Sequence, residues 1–379
     1  MNVLFVAPYA PNRVRTRPFH LIRGLAQRGH AVTVATLWTG PEERETLEDL
    51  RPFCRDLWVR RLPRARSAWN CLLALPSDQP LQSVYGWQPS LLRLVEARLE
   101  ADGHRFDVIH VEHLRGARYG LVLRPVLSRF GSPPPIVWDS VDCISLLFQQ
   151  AAQQSRSVFS RWVTRFEAGR TARLEGRLLA EFDQVLATSE FDAQALRNLS
   201  NGRRPPRPVS VLGNGVDADY FVPGDPAGRV ANRLIMTGKM SYHANVTMAV
   251  EFVTNILPRV AERHPDVELW IVGKDPAREV SHLARAGRVH VTGTVPDVRP
   301  YLRTAAVAVA PLSYGAGVQN KVLEAMASGT PTVISDIAAR GLSLKADQQA
   351  WVRAGATAFA EGVSDLLSSP ETCARRQPT

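Results

Sequence analysis

The chain has 379 residues, 45% hydrophobic and 22% charged, with a formal charge of +10. That length suits two domains of ordinary size with ample core material. No run approaches the ~20 consecutive apolar residues that span a bilayer, and the opening MNVLFVAPYAPNR lacks the regions of a secretion signal, so a cytoplasmic chain is expected.

Cys54, Cys71, Cys143 and Cys373 are scattered without a C-x-x-C pair, which argues against a disulfide framework and a structural zinc. Only four basic residues are lysines: Lys239, Lys274, Lys321 and Lys345. There is no interleaved basic and aromatic stripe of the nucleic-acid type. The positive balance fits an anionic substrate or an anionic lipid surface better.

Residues 2–7, NVLFVA, predict a first buried strand. A basic loop follows, then a helix over about 18–28 that Gly29 ends. AVTVATL is a second strand, and 108–111 and 136–138 are further strands with helical stretches such as 89–100 between them. FDQVLATS, 182–189, is another strand, before a helix from Glu190. Strands alternating with helices, without close-spaced hairpin signals, imply a mostly parallel sheet covered on both faces. Residues 201–227, rich in Gly and Pro, read as a linker. The expected domains are therefore 1–205 and 206–379.

The pattern then restarts. RLIMTG is a strand, and 244–264 is a helix with apolar residues at 246, 250, 253, 257 and 260. VELWIVG, VHVTG, VAVAP and TVISD are four more strands. VAVAP leads through SYGAG into a helix over 319–328 that stops at Gly329. The reading is an α/β chain of two strand-first, doubly wound units. Ligands of such sheets bind beyond the carboxyl ends of the strands, so the post-strand loops and a cleft between the two units are where chemistry is expected.

The strongest constellation runs from Ser313 to Pro331. Gly315 and Gly317 permit close backbone approach, and the helix that follows presents an N-terminus, a natural anion site. Lys321 lies in its first turn, where a cation opposes the helix dipole unless an anion such as a diphosphate is its neighbour. Glu324, three residues on, can accept two hydrogen bonds from a ribose diol. An ordinary surface Lys–Glu pair is the alternative.

Four other places carry weaker signals. Arg13, Arg15, Arg17 and His20 form a basic loop after the first strand that either meets a phosphate of donor or acceptor or is simply solvated. His110, Glu112 and His113 follow a strand without zinc-helix spacing and read as cleft-lining residues or simply as a satisfied loop. Asp139, with Asp142 nearby, either orients or deprotonates an acceptor hydroxyl or caps a helix. Residues 60–76, RRLPRARSAWNCLLALP, join a basic run to Trp69 and an apolar stretch, which either rests on an anionic membrane or is a loop and a buried helix. Asp217 and Asp219 form a D-x-D, but within the linker, where a metal role is not expected.

YGAGVQNKVLEAMASGTPTVIS resembles the donor-site signature of the retaining GT-B glycosyltransferases of family 4, or group 1, which include bacterial sugar transferases of cell-surface polysaccharides. VLGNGVDADYFVP resembles the family's interdomain element, and LIMTGKMSYHAN its phosphate-binding loop. The resemblance implies a GT-B fold of two Rossmann-like domains whose parallel sheets face across a cleft. It implies donor contacts from Gly238, Lys239, Thr294, Val295, Gly315, Gly317, Val318, Asn320, Lys321 and Glu324. Arg15, Arg17, His20 and His113 fall on the acceptor or phosphate side, with Asp139 as the catalytic candidate. The family pattern carries two Glu eight residues apart; Glu324 matches the second, and Ala316 stands where the sugar-contacting first would be. The family's second phosphate-binding cation falls at about Ala244 or Asn245, and Lys321 is expected to compensate.

The implied activity is transfer from a nucleotide diphosphate sugar to a lipid-linked or cell-surface saccharide acceptor, with retention and without a metal or other cofactor. It is expected in the cytoplasm, with peripheral contact to the inner face of the plasma membrane and no nucleic-acid partner. A nucleotide-sugar epimerase of the same fold, or a non-catalytic nucleotide-sugar-binding relative, is the alternative.

Overall fold

In a computed structural model the alternation of strands and helices resolves into two all-parallel sheets. The structure describes residues 1–13, 16–102, 106–154, 158–200, 208–315, 317–342, 344 and 350–368. The chain divides into two units, Met1–Gly213 and Asn214–Thr379.

The first unit holds seven strands: β1 (Asn2–Ala7), β2 (Ala31–Trp38), β3 (Asp56–Arg61), β4 (Val108–Glu112), β5 (Ile136–Val141), β6 (Gln184–Ala187) and β7 (Val209–Val211). Their order is β3-β2-β1-β4-β5-β6-β7. β1 shows why the sheet is covered twice. Leu4 and Val6 pack into one core with Ile109, Val111 and Leu114. Phe5 and Ala7 point the other way, to Phe19 and Ile22 of the helix Thr16–Gln27. A run of apolar residues without alternation is what two buried faces require.

The second unit holds β8 (Val230–Thr237), β9 (Glu268–Val272), β10 (Val289–Gly293), β11 (Ala305–Ala310), β12 (Thr332–Ser335) and β13 (Ala350–Arg353), in the order β10-β9-β8-β11-β12-β13. Leu234 and Met236 of β8 join one core and Ile235 the other. In each unit the order reverses beside the first strand, between β1 and β4 and between β8 and β11. At such a reversal the flanking loops turn to opposite faces and leave a crevice at the carboxyl ends.

Three expectations need correction. The linker is shorter than 201–227, and the unit boundary lies after Gly213 rather than 205. Val209–Val211 pairs with β6 as an edge strand, too short to show a period; residues 201–207 lie outside the described residues. The helix over 244–264 is His243–Glu251 followed by a π-turn, Phe252–Ile256, and then Leu257–Arg263. Pro258 explains the irregularity, because it lacks the N–H and crowds the preceding turn. The edge strands β3 and β13 were not foreseen: β3 ends in exposed arginines, and β13 carries the polar Arg353.

Glu175, on the helix Val158–Glu181, is buried and accepts the N–H groups of Ile144 (2.8 Å) and Ser145 (3.1 Å), at the start of the helix Ile144–Gln154. Burial pushes its carboxyl up to about 7 in spite of these bonds. Unfolded, it titrates near ~4.3. A carboxyl whose proton affinity rises on folding adds stability at low pH and loses it as pH rises through about 7. Glu175→Gln keeps an acceptor oxygen and cannot ionise. Its melting temperature should therefore fall less than that of the wild type between about pH 5 and 8. Equal slopes in circular-dichroism melts would contradict this.

Candidate functional site

The crevice of the second sheet is built from glycines first. β8 ends at Thr237, and Gly238 (φ 143°) and Lys239 follow. Gly238 N–H donates to Val272 O (3.2 Å), Met240 N–H to Lys274 O (2.8 Å) and Gly273 N–H to Gly293 O (3.2 Å), so the ends of β8, β9 and β10 are laced together. A Cβ on Gly273 would lie 1.7 Å from Gly238 O, and one on Gly238 2.9 Å from Asn245 Nδ2. Across the crevice, Gly317 (φ 67°) follows β11, and a Cβ on Gly341 would lie 2.3 Å from its carbonyl oxygen. Only glycine lets these backbones approach so closely.

Asn245 joins the two sides. Its Nδ2 donates to Lys239 O (2.9 Å), and its Oδ1 accepts from Lys321 Nζ (2.5 Å). Lys321 opens the helix Asn320–Ala327, whose first turn holds no acidic residue and whose N-cap Gln319 makes no side-chain cap bond. Burial lowers the Lys321 ammonium to about 8, with Glu324 pulling the other way. Burial raises Glu324, and Lys321 opposes that shift. An ammonium held half-buried beside an amide oxygen, at a helix N-terminus, is poised for a phosphate. Asn320 Oδ1 accepts from Asn214 Nδ2 (3.0 Å), which draws the N-G-V-D segment to the same helix. His243 Nδ1 lies 2.7 Å from Tyr314 Oη, with the rings stacked at 5.4 Å.

The structure thus brings Gly238, Lys239 and Lys321 together, with Asn320 and Glu324 on the same helix as Lys321. Gly315 and Val318 lie in the loop before that helix. After β10, Thr294 is exposed, while the Val295 side chain packs into a small core with Phe221, Trp270 and Tyr301. Asp217 closes a turn by accepting the Tyr220 N–H (3.3 Å), and Asp219 is exposed. Ala316 lies outside the described residues.

At the crevice of the first sheet the expectations change more. Arg17 is no solvated loop residue. It sits on the helix Thr16–Gln27, and its buried guanidinium grips Asp139 through Nε (2.9 Å) and Nη2 (3.0 Å) and donates to Leu212 O (2.8 Å). His110 Nε2 lies 3.4 Å from Glu112 Oε2 and 3.5 Å from Asp139 Oδ2, and its ring stacks on Phe5 at 4.2 Å. Tyr9 Oη donates to Glu112 Oε1 (3.2 Å). Burial pulls the His110 imidazole down, but hydrogen bonds to Asp139 and Glu112 outweigh it and raise it to about 9. Burial alone would raise Asp139 as well; the His110 hydrogen bond and the Arg17 charge bring it below the usual carboxylate range. Two cations, Arg17 and His110, thus face two carboxylates, Asp139 and Glu112.

Asp139 is for this reason a poor proton acceptor. It has no exposed surface, and its oxygens are taken by Arg17, His110 and the Val141 N–H. His110, Glu112 and Asp139 each offer one ligand atom within 4.8 Å, spacing that suits a metal ion, but Arg17 already supplies a positive charge to Asp139. The acid near neutrality is Asp142, pushed up to about 7 by burial and then by Asp192. His113 opens the helix His113–Leu127 with a left-handed φ of 63°, an uncommon conformation for a non-glycine residue that clusters at functional sites. Burial and the Arg115 charge lower its imidazole to about 3, so it stays neutral. Its Nδ1 accepts the Arg115 N–H (3.3 Å), which leaves the proton on Nε2. His20 is half-buried against Phe19, Arg13 is exposed, and Arg15 lies outside the described residues.

Sequence reasoning did not find Tyr9, His243 or the bridging role of Asn245. The last had one legible trace: a small amide at the position where the resemblance leads one to look for a second cation.

Two family models cover most of the chain: Glycosyltransferase Family 4 over residues 14–220 and Glycosyl transferases group 1 over 231–369. An MMP alpha-(1->4)-mannosyltransferase of Mycolicibacterium hassiacum is 30% identical over 343 residues, 83% of this chain and 75% of that one. The chain spans about half the length of several other curated relatives it matches. Among solved structures, sucrose-phosphate synthase from Thermosynechococcus elongatus superposes with a TM-score of 0.68 at 19% identity, covering 99% of this chain and 92% of that one. Anabaena HepE in complex with UDP-glucose superposes with a TM-score of 0.64 at 13% identity, covering 100% and 91%.

The charge balance at Asp139 is testable without substrate. Arg17→Ala leaves two buried carboxylates facing one imidazolium. Removing one partner of a buried pair costs ~3–5 kcal/mol, and urea titration of the variant should show a loss of that size. A change below ~1 kcal/mol, the range of surface pairs, would mean that Asp139 does not depend on Arg17.

Proposed function

We propose that this chain, which belongs to the family 4 glycosyltransferases of GT-B fold, moves a sugar from a nucleotide diphosphate sugar to a lipid-linked or cell-surface saccharide acceptor. The observation that carries this reading is the bridge that Asn245 makes between the Lys239 main-chain carbonyl and the Lys321 ammonium, beside the strand-order reversal of the second sheet. In sugar transfer, negative charge grows on the departing diphosphate, and cations positioned beforehand act where that charge develops. Lys239 and Lys321 would meet it together with the helix N-terminus, and this reading uses no metal. Glu324 would bind the ribose diol, and the backbone around Thr294 and Val295 would border the base. The mannosyltransferase relative and the UDP-glucose complex of HepE are in keeping with a nucleotide-sugar donor.

On the acceptor side the candidate that touches reacting groups is His113, which is neutral and carries its proton on Nε2. Asp139 acts through others as a positioning residue, since Arg17 and His110 hold it at the end of β5. Retention of anomeric configuration follows the family by analogy. Reaction in the cytoplasm, with peripheral contact to the inner face of the plasma membrane, completes the reading.

The test is a donor screen with UDP-, GDP- and ADP-sugars, following transfer and hydrolysis. Lys321→Ala should lower kcat/KM for the preferred donor roughly 100-fold, the usual size of losing one charge-stabilising donor. Glu324→Ala should weaken nucleotide binding measured by calorimetry. Unchanged activity and binding in both variants would place the donor site elsewhere. Because Lys321 loses its proton as pH rises through about 8, affinity of the free protein for UDP or GDP should fall above that pH. Lys321→Arg should flatten the dependence, since arginine keeps its charge. A wild-type profile as flat as that of the arginine variant would remove Lys321 from the phosphate site.

A further inference from the structure

Two segments of the first unit, far apart in sequence and joined by hydrogen bonds, each hold large apolar side chains in solvent. The helix Arg64–Ala74 exposes Trp69 (53%), Leu72 and Leu73, with Leu75 just after it. The helix Val158–Glu181 exposes Trp162 (65%) and Phe166, one turn apart, their rings stacked at 5.9 Å and 8°. Arg170 ties the two together. It donates to the carbonyl oxygens of Ala74 and Ser77, pairs with Glu167 (2.8 Å) and lies over the Phe166 ring at 5.1 Å. Glu167 in turn accepts the Leu81 N–H (2.8 Å). Single exposed hydrophobics are ordinary, but two tryptophans, a phenylalanine and three leucines on adjoining segments are not.

The charges around them are nearly all of one sign. Residues 60–76 contain Arg60, Arg61, Arg64 and Arg66 and no acid. Residues 161–173 contain Arg161, Arg165, Arg170 and Arg173 against Glu167 alone, which Arg170 neutralises. The one exposed acid close by, Asp78, lies 3.5 Å from Arg173. A second copy of this chain would bring a basic rim against a basic rim, which disfavours self-association. Among the described residues no helix is long and apolar enough to cross a membrane.

We propose that this face, Trp69, Leu72, Leu73, Trp162 and Phe166 with their arginine rim, docks on the surface of an anionic lipid bilayer. Tryptophan and phenylalanine rings settle at the boundary of headgroups and acyl chains. Arginines around them reach lipid phosphates while their stems lie along the apolar surface. The proposal gives a surface to the membrane contact of the reading above and rests on that part of it, while vesicle binding is measured apart from transfer.

The test is co-sedimentation of the full chain with vesicles of phosphatidylcholine alone or mixed with phosphatidylglycerol, at low and high salt. Binding is expected to the mixed vesicles only and to weaken with salt. The Trp162→Ser/Phe166→Ser double variant, checked for an unchanged circular-dichroism melt, should bind at least ~10-fold less, because two rings no longer leave water. Trp69→Ser/Leu73→Ser on the other helix should do the same. Failure of the wild type to bind mixed vesicles, or undiminished binding by both double variants, would overturn the proposal. So would self-association in light scattering that either double variant abolishes, which would make the face a protein interface.

Discussion

A parallel sheet covered on both faces can tolerate polar chemistry only where its strands end. In both units the central strands are apolar on both sides, and the charged groups of the two crevices stand at a strand's carboxyl end or on the helix that follows one. Gly238 and Lys239 follow β8, and Glu112 and His113 lie at the end of β4. The reversal of strand order then selects which ends open onto a crevice. The candidate site of each unit lies at the reversal of its own sheet because this constraint acts twice.

Within that shared frame the two crevices solve opposite electrostatic problems. In the second unit, the amide of Asn245 holds the main-chain carbonyl of Lys239 on one side and the ammonium of Lys321 on the other, and contributes no charge of its own. Burial weakens the hold of Lys321 on its proton, as expected where a ligand is to complete the charge balance. In the first unit, Arg17 and His110 pair with Asp139, and burial raises the carboxyl of Glu112 beside them. His113 sits at the margin of this group, neutral and in a strained backbone conformation. The crevice of the first unit thus reads as a fixed, internally paired frame, and that of the second as a cationic corner beside a helix N-terminus.

Much of this was legible in the sequence. Long apolar strands announce themselves, and so did the fold class, the restart of the pattern after the linker, and the helix that carries Lys321 and Glu324. The edge strands β3 and β7 did not, because they are short or partly exposed and have neither an apolar run nor a clean period. Arg17 and Asp139 were misjudged for a common reason. Each looked available in a one-dimensional reading, and their mutual neutralisation across 122 positions of chain is a property of the fold. Asn245 was visible only as a departure from a pattern, since an amide reveals nothing of its partners until they are placed around it.

The close approach at Gly273 bears on how such a protein can diversify. Its Cβ-less backbone leans on the carbonyl of Gly238, so no side chain can be added there without moving the loop that carries Lys239. With the loop fixed at this point, a change of ligand preference in this crevice falls to side chains further out than Gly273.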